Sequence, residues 1–445
     1  MGALSHIRIC DFTGQLAGAG ATRTLAAFGA QVIKIEDPVT EGRWDILRGM
    51  QPFVDERRGG ELGGGFQNHN VEKLGITLNL RTERGRELLA EIVRISDVVA
   101  ENFAAGVLAH LGFPYERLRE IRDDVIYVSN CGFGHRGPYS SFKTWGPIVQ
   151  ACCGLTFTSG LPDLPPAGWG YSYMDHHGGN VMALAILTAL VHRNRTGAGQ
   201  WVDMSCTDAG ATMLGPVVLD YTVNGRPARR PGSPDSNHSD APVMAPHNIY
   251  AARGDDEWFA IACRHDDDWV ALADVLGATA DGAWAADPGY ATLAGRVARQ
   301  ADLDARLAEW CRPRDKFDLQ AQMLAAGVPG VAVQRPGERI EDDPGTTEWG
   351  LWPWVDHRAM GRLRVDGLPM HLSETDWHIE RAAPLLGQDN DVVYGEILGL
   401  GASEIADLRS EGVICWRARR AARTSRPRRS RRPTRPGPAR SRACG

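Results

Sequence analysis

An open α/β sheet is the fold class that this 445-residue sequence predicts, and three observations carry it. Strand-like and helix-like runs alternate through the first 130 residues. Each pair of strands is separated by enough chain for a crossover helix, which implies parallel strands with right-handed connections. A hydrophobic content of 43% with 23% charged residues is that of a globular chain able to bury a large core, and the length suggests more than one unit.

The elements follow in order. Ile7 to Phe12 is a short β-rich run, and the small-residue stretch TGQLAGAGATRTLAAFGA reads as the helix behind it, closed by Gly29. QVIKIEDP forms the next strand, stopped by Pro38. A second cycle runs through GITLNL, the helix RTERGRELLAEIVRI, DVVAEN, the helical run GVLAHLGFPYERLREI, and DVIYVSN. Residues 180–193 form an apolar helix ended by Arg193, Arg195 and Gly197, and QWVDMS is a strand before a helix capped at Thr207-Asp208. Composition then divides the chain into 1–223, a linker and small α/β unit over 224–332, a linker with a β-rich patch and closing helix over 333–415, and an Arg-rich tail over 416–445.

The tail holds 12 of the 49 basic residues and no acid, so it predicts a disordered appendage. Without it the body carries 37 basic against 55 acidic residues, and an acidic body offers no basic face to nucleic acid. No run approaches the roughly 18 apolar residues of a membrane-spanning helix, and the N-terminus lacks a secretory pattern. Nine cysteines without a CxxC pair fit a reducing compartment, so the expected location is the cytoplasm.

The chemistry concentrates in GWGYSYMDHHGGNVMALAIL, residues 168–187, where a charged side chain precedes a buried helix. Asp175 could cap that helix, ligate a metal with His176 and His177, or act as a nucleophile. Adjacent residues on an extended segment point apart, which disfavours the metal. Gly178 and Gly179 would let a ligand approach the backbone as a substrate loop, and the helix N-terminus would favour an anion there. A carboxylate is a competent nucleophile towards a thioester, since the departing thiolate can recapture the anhydride. The first strand–helix turn has Arg23 where a dinucleotide fingerprint needs its third glycine, and no P-loop, HExxH or GxSxG is present.

Several separated stretches resemble the family III CoA-transferases, the group of formyl-CoA and carnitine CoA-transferases and α-methylacyl-CoA racemases. They are IRICDFTGQLAGAGATRTLAAFGAQVIKIEDP, KLGITLNL, DVVAENFAAGVLAHLGF, YVSNCGFGHRGPYS, the Asp175 segment with HRNRTGAGQWVDMS, and AAPLLGQDNDVVYGEILGL, together spanning roughly residues 5–415. The resemblance implies a large Rossmann-like domain built from both chain ends, a smaller inserted α/β domain, and an interlocked homodimer. It implies that Asp175 is the nucleophile, with an acyl-CoA and a small carboxylic acid as substrates, and no permanently bound cofactor or metal.

By the same resemblance CoA is cradled by Leu16, Ala17, Leu78, Asn79, Leu80, Arg81, Asn102, Phe103 and Ala104, with His110, Phe142, Lys143, Thr144 and Trp145. Asp37 and His110 stand where relatives carry arginines, so Lys34, Arg43 and Arg48 are the nearby cations for the CoA phosphates. Racemases of the group use a histidine where this chain has Gly146, which leaves His135 or His176 as substitute bases. The expected function is therefore CoA transfer between a thioester and a free acid. An α-proton enzyme on acyl-CoA is the alternative, and a non-catalytic CoA-binding subunit the second. Trp145, Trp169, Tyr171 and Tyr173 suggest an aromatic-lined pocket, and residues 232–240 (GSPDSNHSD) are either a lid or a linker.

Overall fold

The computed structural model describes residues 2–415 apart from Pro162 and Trp169; the Arg-rich segment 416–445 lies outside the described residues. Six strands form one sheet: β1 (Arg8–Asp11), β2 (Gln31–Glu36), β3 (Leu74–Thr77), β4 (Val98–Glu101), β5 (Ile126–Cys131) and β6 (Trp201–Ser205). Their order is β3-β2-β1-β4-β5-β6, and every neighbouring pair is parallel. The open parallel α/β sheet expected from the alternation is present, in the Rossmann-like order. Connections leave β1 in one direction and β4 in the other, so a crevice opens beyond the C-terminal ends of these two strands.

Eight helices accompany the sheet through residue 211: α1 (Ala17–Ala27), α2 (Gly64–His69), α3 (Glu83–Arg94), α4 (Val107–His110), α5 (Tyr115–Ile121), α6 (Gly146–Cys152), α7 (Tyr173–Thr196) and α8 (Cys206–Ala211). Leu88, Leu89, Ile92 and Val93 of α3 bury one face of the sheet. Leu25 of α1 with Met182, Ile186 and Leu190 of α7 bury the other. Gly29 (φ 99°) follows α1 and Gly197 (φ 76°) caps α7, both in the left-handed conformation that ends a helix without a Cβ clash.

Three expectations are corrected. The run 106–121 is two helices, because Pro114 lacks an N–H and disfavours helical backbone at Phe113. The apolar helix starts at Tyr173 instead of residue 180, so Asp175 lies in its first turn. The cap of α8 is Ser205, whose hydroxyl accepts from the Asp208 amide at 3.1 Å, and Thr207 and Asp208 fall inside the helix.

The far end of the chain returns to β3. Asp389 Oδ2 accepts from Gly75 N at 2.8 Å, Asn390 Oδ1 from Thr77 N at 2.9 Å, and Tyr394 donates to Thr77 O at 2.9 Å. These side chains occupy the hydrogen-bonding groups that an edge strand would leave open. Val393, Tyr394, Ile405 and Leu408 then join the core beneath α3.

Residues 239–244 make a two-residue ribbon, β7 (Ser239–Asp240) with β8 (Val243–Met244). An antiparallel sheet follows, in the order β11-β10-β9, from β9 (His247–Ala251), β10 (Trp258–Ala262) and β11 (Gly330–Val333). Its own apolar cluster includes Phe259, Trp269, Leu303 and Met323. The β-rich patch is a hairpin, β12 (Trp354–His357) with β13 (Gly361–Arg364).

Candidate active site

Polar contacts first fix the crevice at the end of β1. Asp11 is fully buried and paired with Lys73 at 3.1 Å, and its Oδ1 accepts from Thr13 N at 2.9 Å. Across the switch point Asn102 clamps Gly14: its Oδ1 accepts from Gly14 N at 2.8 Å, and its Nδ2 donates to Gly14 O at 3.0 Å. A Cβ at Gly18 would lie 2.5 Å from Asn102 Oδ1, so only glycine lets α1 start this close to β4. Gly18 thus serves packing at the crevice.

A cavity of about 320 Å³ opens there, within the size range of small-molecule sites. The ends of β1, β4 and β5 form its floor, with Gly14, Asn102, Asn130, Cys131 and Gly132 in the lining. Trp44 and Phe103 pack edge-to-face at 5.8 Å on one wall. Asp175 faces the cavity from α7.

Asp175 lies three residues after the N-cap Ser172, and its amide donates to Ser172 O at 3.0 Å. The helix dipole and the Ser172 hydroxyl favour the carboxylate, while burial opposes it and dominates. The result is a carboxyl raised from the usual 3.8 to about 6. Cys206 Sγ packs against the same turn, and burial, reinforced by Asp175, pushes its thiol to about 12, so it stays protonated. The cavity thus presents the Asp175 carboxyl beside thiols that stay protonated.

Gly146 sits against that carboxylate. A Cβ there would lie 2.6 Å from Asp175 Oδ2 and 2.8 Å from Ser172 Oγ. No histidine lines the cavity among the described residues. His176 instead pairs with the Tyr171 hydroxyl at 2.7 Å, and His177 binds Ala209 O at 3.1 Å. Asp175, His176 and His177 therefore diverge and do not form a metal site. His135 is held by Asp203 at 3.0 Å and lies outside the lining.

Of the positions expected to cradle CoA, Ala17, Asn102, Phe103 and Ala104 line the cavity, as do Phe142, Lys143, Thr144 and Trp145. Leu16, Asn79, Arg81 and His110 do not, and Leu78 and Leu80 are core residues beneath α3. Gly178 and Gly179 are buried helix positions, a correction to their reading as a substrate loop. Cβ atoms there would meet Cys206 Sγ at 2.7 Å and Ala17 O at 2.8 Å, so these glycines let α7 pack on α8 and α1.

The phosphate substitutes are also corrected. Lys34 is buried between Thr13 O (2.7 Å) and Asp45 (3.3 Å), and Arg48 is buried on Glu36 and Glu61 (each 2.7 Å), so both charges are spent inside the fold. Arg43 stays exposed. Trp145 belongs to the aromatic lining, Tyr171 and Tyr173 do not, and Trp169 is outside the described residues. Within residues 232–240, His238 binds Asp304 at 2.7 Å, which ties the segment to the small sheet's helices.

Sequence reading missed Trp44, Asn130, Cys131 and Cys206 in the lining. For Asn130 and Cys131 the signal was available, since both end a strand beside the switch point. Cys131, His135 and Asp203 also bring ligand atoms within 4.8 Å of one another. Their grouping is accounted for by hydrogen bonding, because Asp203 also accepts from His135 N at 3.0 Å and burial raises the Cys131 thiol to about 11.

Residues 4–390 match the CoA-transferase family III model. The chain belongs to that family. The transferase is 31% identical to the formyl-CoA:oxalate CoA-transferase of Rhodopseudomonas palustris over 94% of this chain and 99% of that one. It is also 31% identical to the succinyl-CoA–D-citramalate CoA-transferase of Chloroflexus aurantiacus, over 92% and 98% of the two chains. A CaiB/BaiF family protein from Brucella suis superposes with a TM-score of 0.77 at 31% identity, over 89% of the transferase and 99% of that structure. Family III enzymes use CoA thioesters, so the thioester is the transferase's substrate. No described helix is long and apolar enough to cross a membrane.

The raised Asp175 carboxyl gives two opposed pH effects. Donor kcat/KM should rise through pH 6 and level off above it, as the Asp175 carboxyl ionises. Stability moves the other way: between 3.8 and about 6 the folded protein binds more protons than the unfolded one, so stability falls with rising pH and stays lower above. Asp175→Asn should abolish this step, with Tm higher than wild type at pH 8 and closer to it at pH 5, read by thermal melts.

Proposed function

We propose that the protein moves CoA from an acyl-CoA donor to a free carboxylic acid through covalent intermediates on Asp175. The observation that carries this reading is a lone carboxylate at a helix start, facing a cavity at the sheet's switch point with Gly146 closed against it. An Asp175 oxygen attacks the thioester carbonyl, forming a mixed anhydride and releasing CoA thiolate. The thiolate attacks the aspartyl carbonyl, leaving aspartyl-CoA thioester and the donor acid as carboxylate. The acceptor carboxylate attacks that thioester, and the returning thiolate takes the acceptor's acyl carbon and frees Asp175. Phe103, Ala104, Lys143 and Trp145 line the approach of CoA. A two-base α-proton exchange lacks its second base in this lining. A screen of acyl-CoA donors against carboxylic acids, read as new thioester masses, tests the reading; α-deuteration without CoA exchange would contradict it.

We further propose the two-ended large domain, the inserted small domain over 224–332, and an interlocked homodimer. The helix Pro216–Asn224 has no buried residue, yet exposes Val218, Leu219, Tyr221 and Val223. Leu184, Leu187 and Val191 of α7 are exposed as well. Such apolar faces call for cover, and a second copy threaded through the first would supply it without dissociating on dilution. Native mass spectrometry at nanomolar protein should show only dimer; a folded monomer would refute the interlock.

A further inference from the structure

Two asparagines line the cavity, and they are in opposite states. Asn102 uses both ends of its carboxamide to clamp Gly14. Asn130, next to last in β5 and 3% exposed, has no hydrogen-bond partner for either Oδ1 or Nδ2 among the described residues. Its main chain is in register with Met204 of β6, so the strand has no need of the side chain. An unpaired buried carboxamide is costly unless something else meets it.

The amide's position says what that is. Asn130 Nδ2 lies 3.8 Å from where a Cβ of Gly178 would stand, and Gly178 follows Asp175 by three residues on the same face of α7. Asp175 and Asn130 line the same cavity, so an acyl group attached at the Asp175 carboxylate shares that space with the Asn130 amide. A plain hydrocarbon there would leave both amide atoms unpaired. A carboxylate there would offer acceptors only and leave Oδ1 without a donor. A hydroxyl matches both ends: Oδ1 accepts its proton, and Nδ2 donates to an oxygen of the same acyl group.

We propose that Asn130 makes the acyl end of the cavity selective for 2- or 3-hydroxyacyl groups over their unsubstituted counterparts. The inference rests on the transferase reading above and names its substrate class.

The test uses identity exchange, which needs no knowledge of the natural acceptor. Lactoyl-CoA, propionyl-CoA, 3-hydroxybutyryl-CoA and butyryl-CoA are each incubated with their own ¹³C-labelled acid, and label entering the thioester is read by mass. In at least one of the two pairs, wild type should favour the hydroxylated member by about 30-fold or more in kcat/KM. Asn130→Leu, of similar volume, should bring that ratio to within about threefold of one. Asn130→Ser repeats the measurement if the leucine protein does not fold. A wild-type ratio near one in both pairs, or a ratio unchanged in the variant, overturns the inference and leaves the transferase intact. Exchange with none of the four thioesters overturns both.

Discussion

Asp175→Asn is expected to lower turnover by about three to six orders of magnitude, the range for loss of a nucleophile that works as part of a unit. The amide keeps the shape of the side chain at the start of α7 and removes the anion that attacks the thioester in the proposed mechanism. CoA affinity should change far less, because Phe103, Lys143 and Trp145 lie on other elements. The same variant should be the more stable protein at pH 8, since a carboxylate held partly desolvated disfavours the folded state. Activity lost and stability gained by one substitution would separate a nucleophile from a helix cap. Loss of a cap costs stability.

Gly146→His is the second large effect. Its Cβ alone would lie 2.6 Å from Asp175 Oδ2, so the carboxylate must move or α6 must retreat. Displacing a reacting atom by about 1 Å costs on the order of 10²-fold, and turnover should fall by at least that much. The imidazole should not convert the protein into an α-proton exchanger, because the carboxylate it would partner has been pushed away. Deuterium incorporation into a 2-methylacyl-CoA in heavy water checks this. Rapid α-exchange in the variant would show that the pocket has room for a second base after all. Gly146→Ala should give a smaller loss in the same direction.

Much of this site was legible in the sequence. The strand–helix alternation gave the parallel sheet, while the strand order that opens the crevice at the ends of β1 and β4 came only with the structure. Asp175 stood out because a charge precedes an apolar helix, and the structure sets it in the cavity. What misled was local. A Gly-Gly pair reads as a loop, but here it is the thin part of a helix pressed on Ala17 and Cys206. Lys34 and Arg48 read as spare cations for phosphates, but Asp45, Glu36 and Glu61 come from elsewhere in the chain to pair with them. Such pairings depend on the tertiary fold and leave no periodicity behind. Asn130 looked like an ordinary strand residue, and only the missing partners of its amide set it apart.

The central claim is that Asp175 carries the acyl group and then CoA. Wild type incubated with a donor acyl-CoA, treated with borohydride and digested, tests it most directly. The reagent reduces an aspartyl thioester to the alcohol, so the account predicts a peptide altered in mass at Asp175 alone, and no alteration in Asp175→Asn or without donor. Reduction at another residue, or an unmodified Asp175 peptide from protein still exchanging CoA, would contradict it.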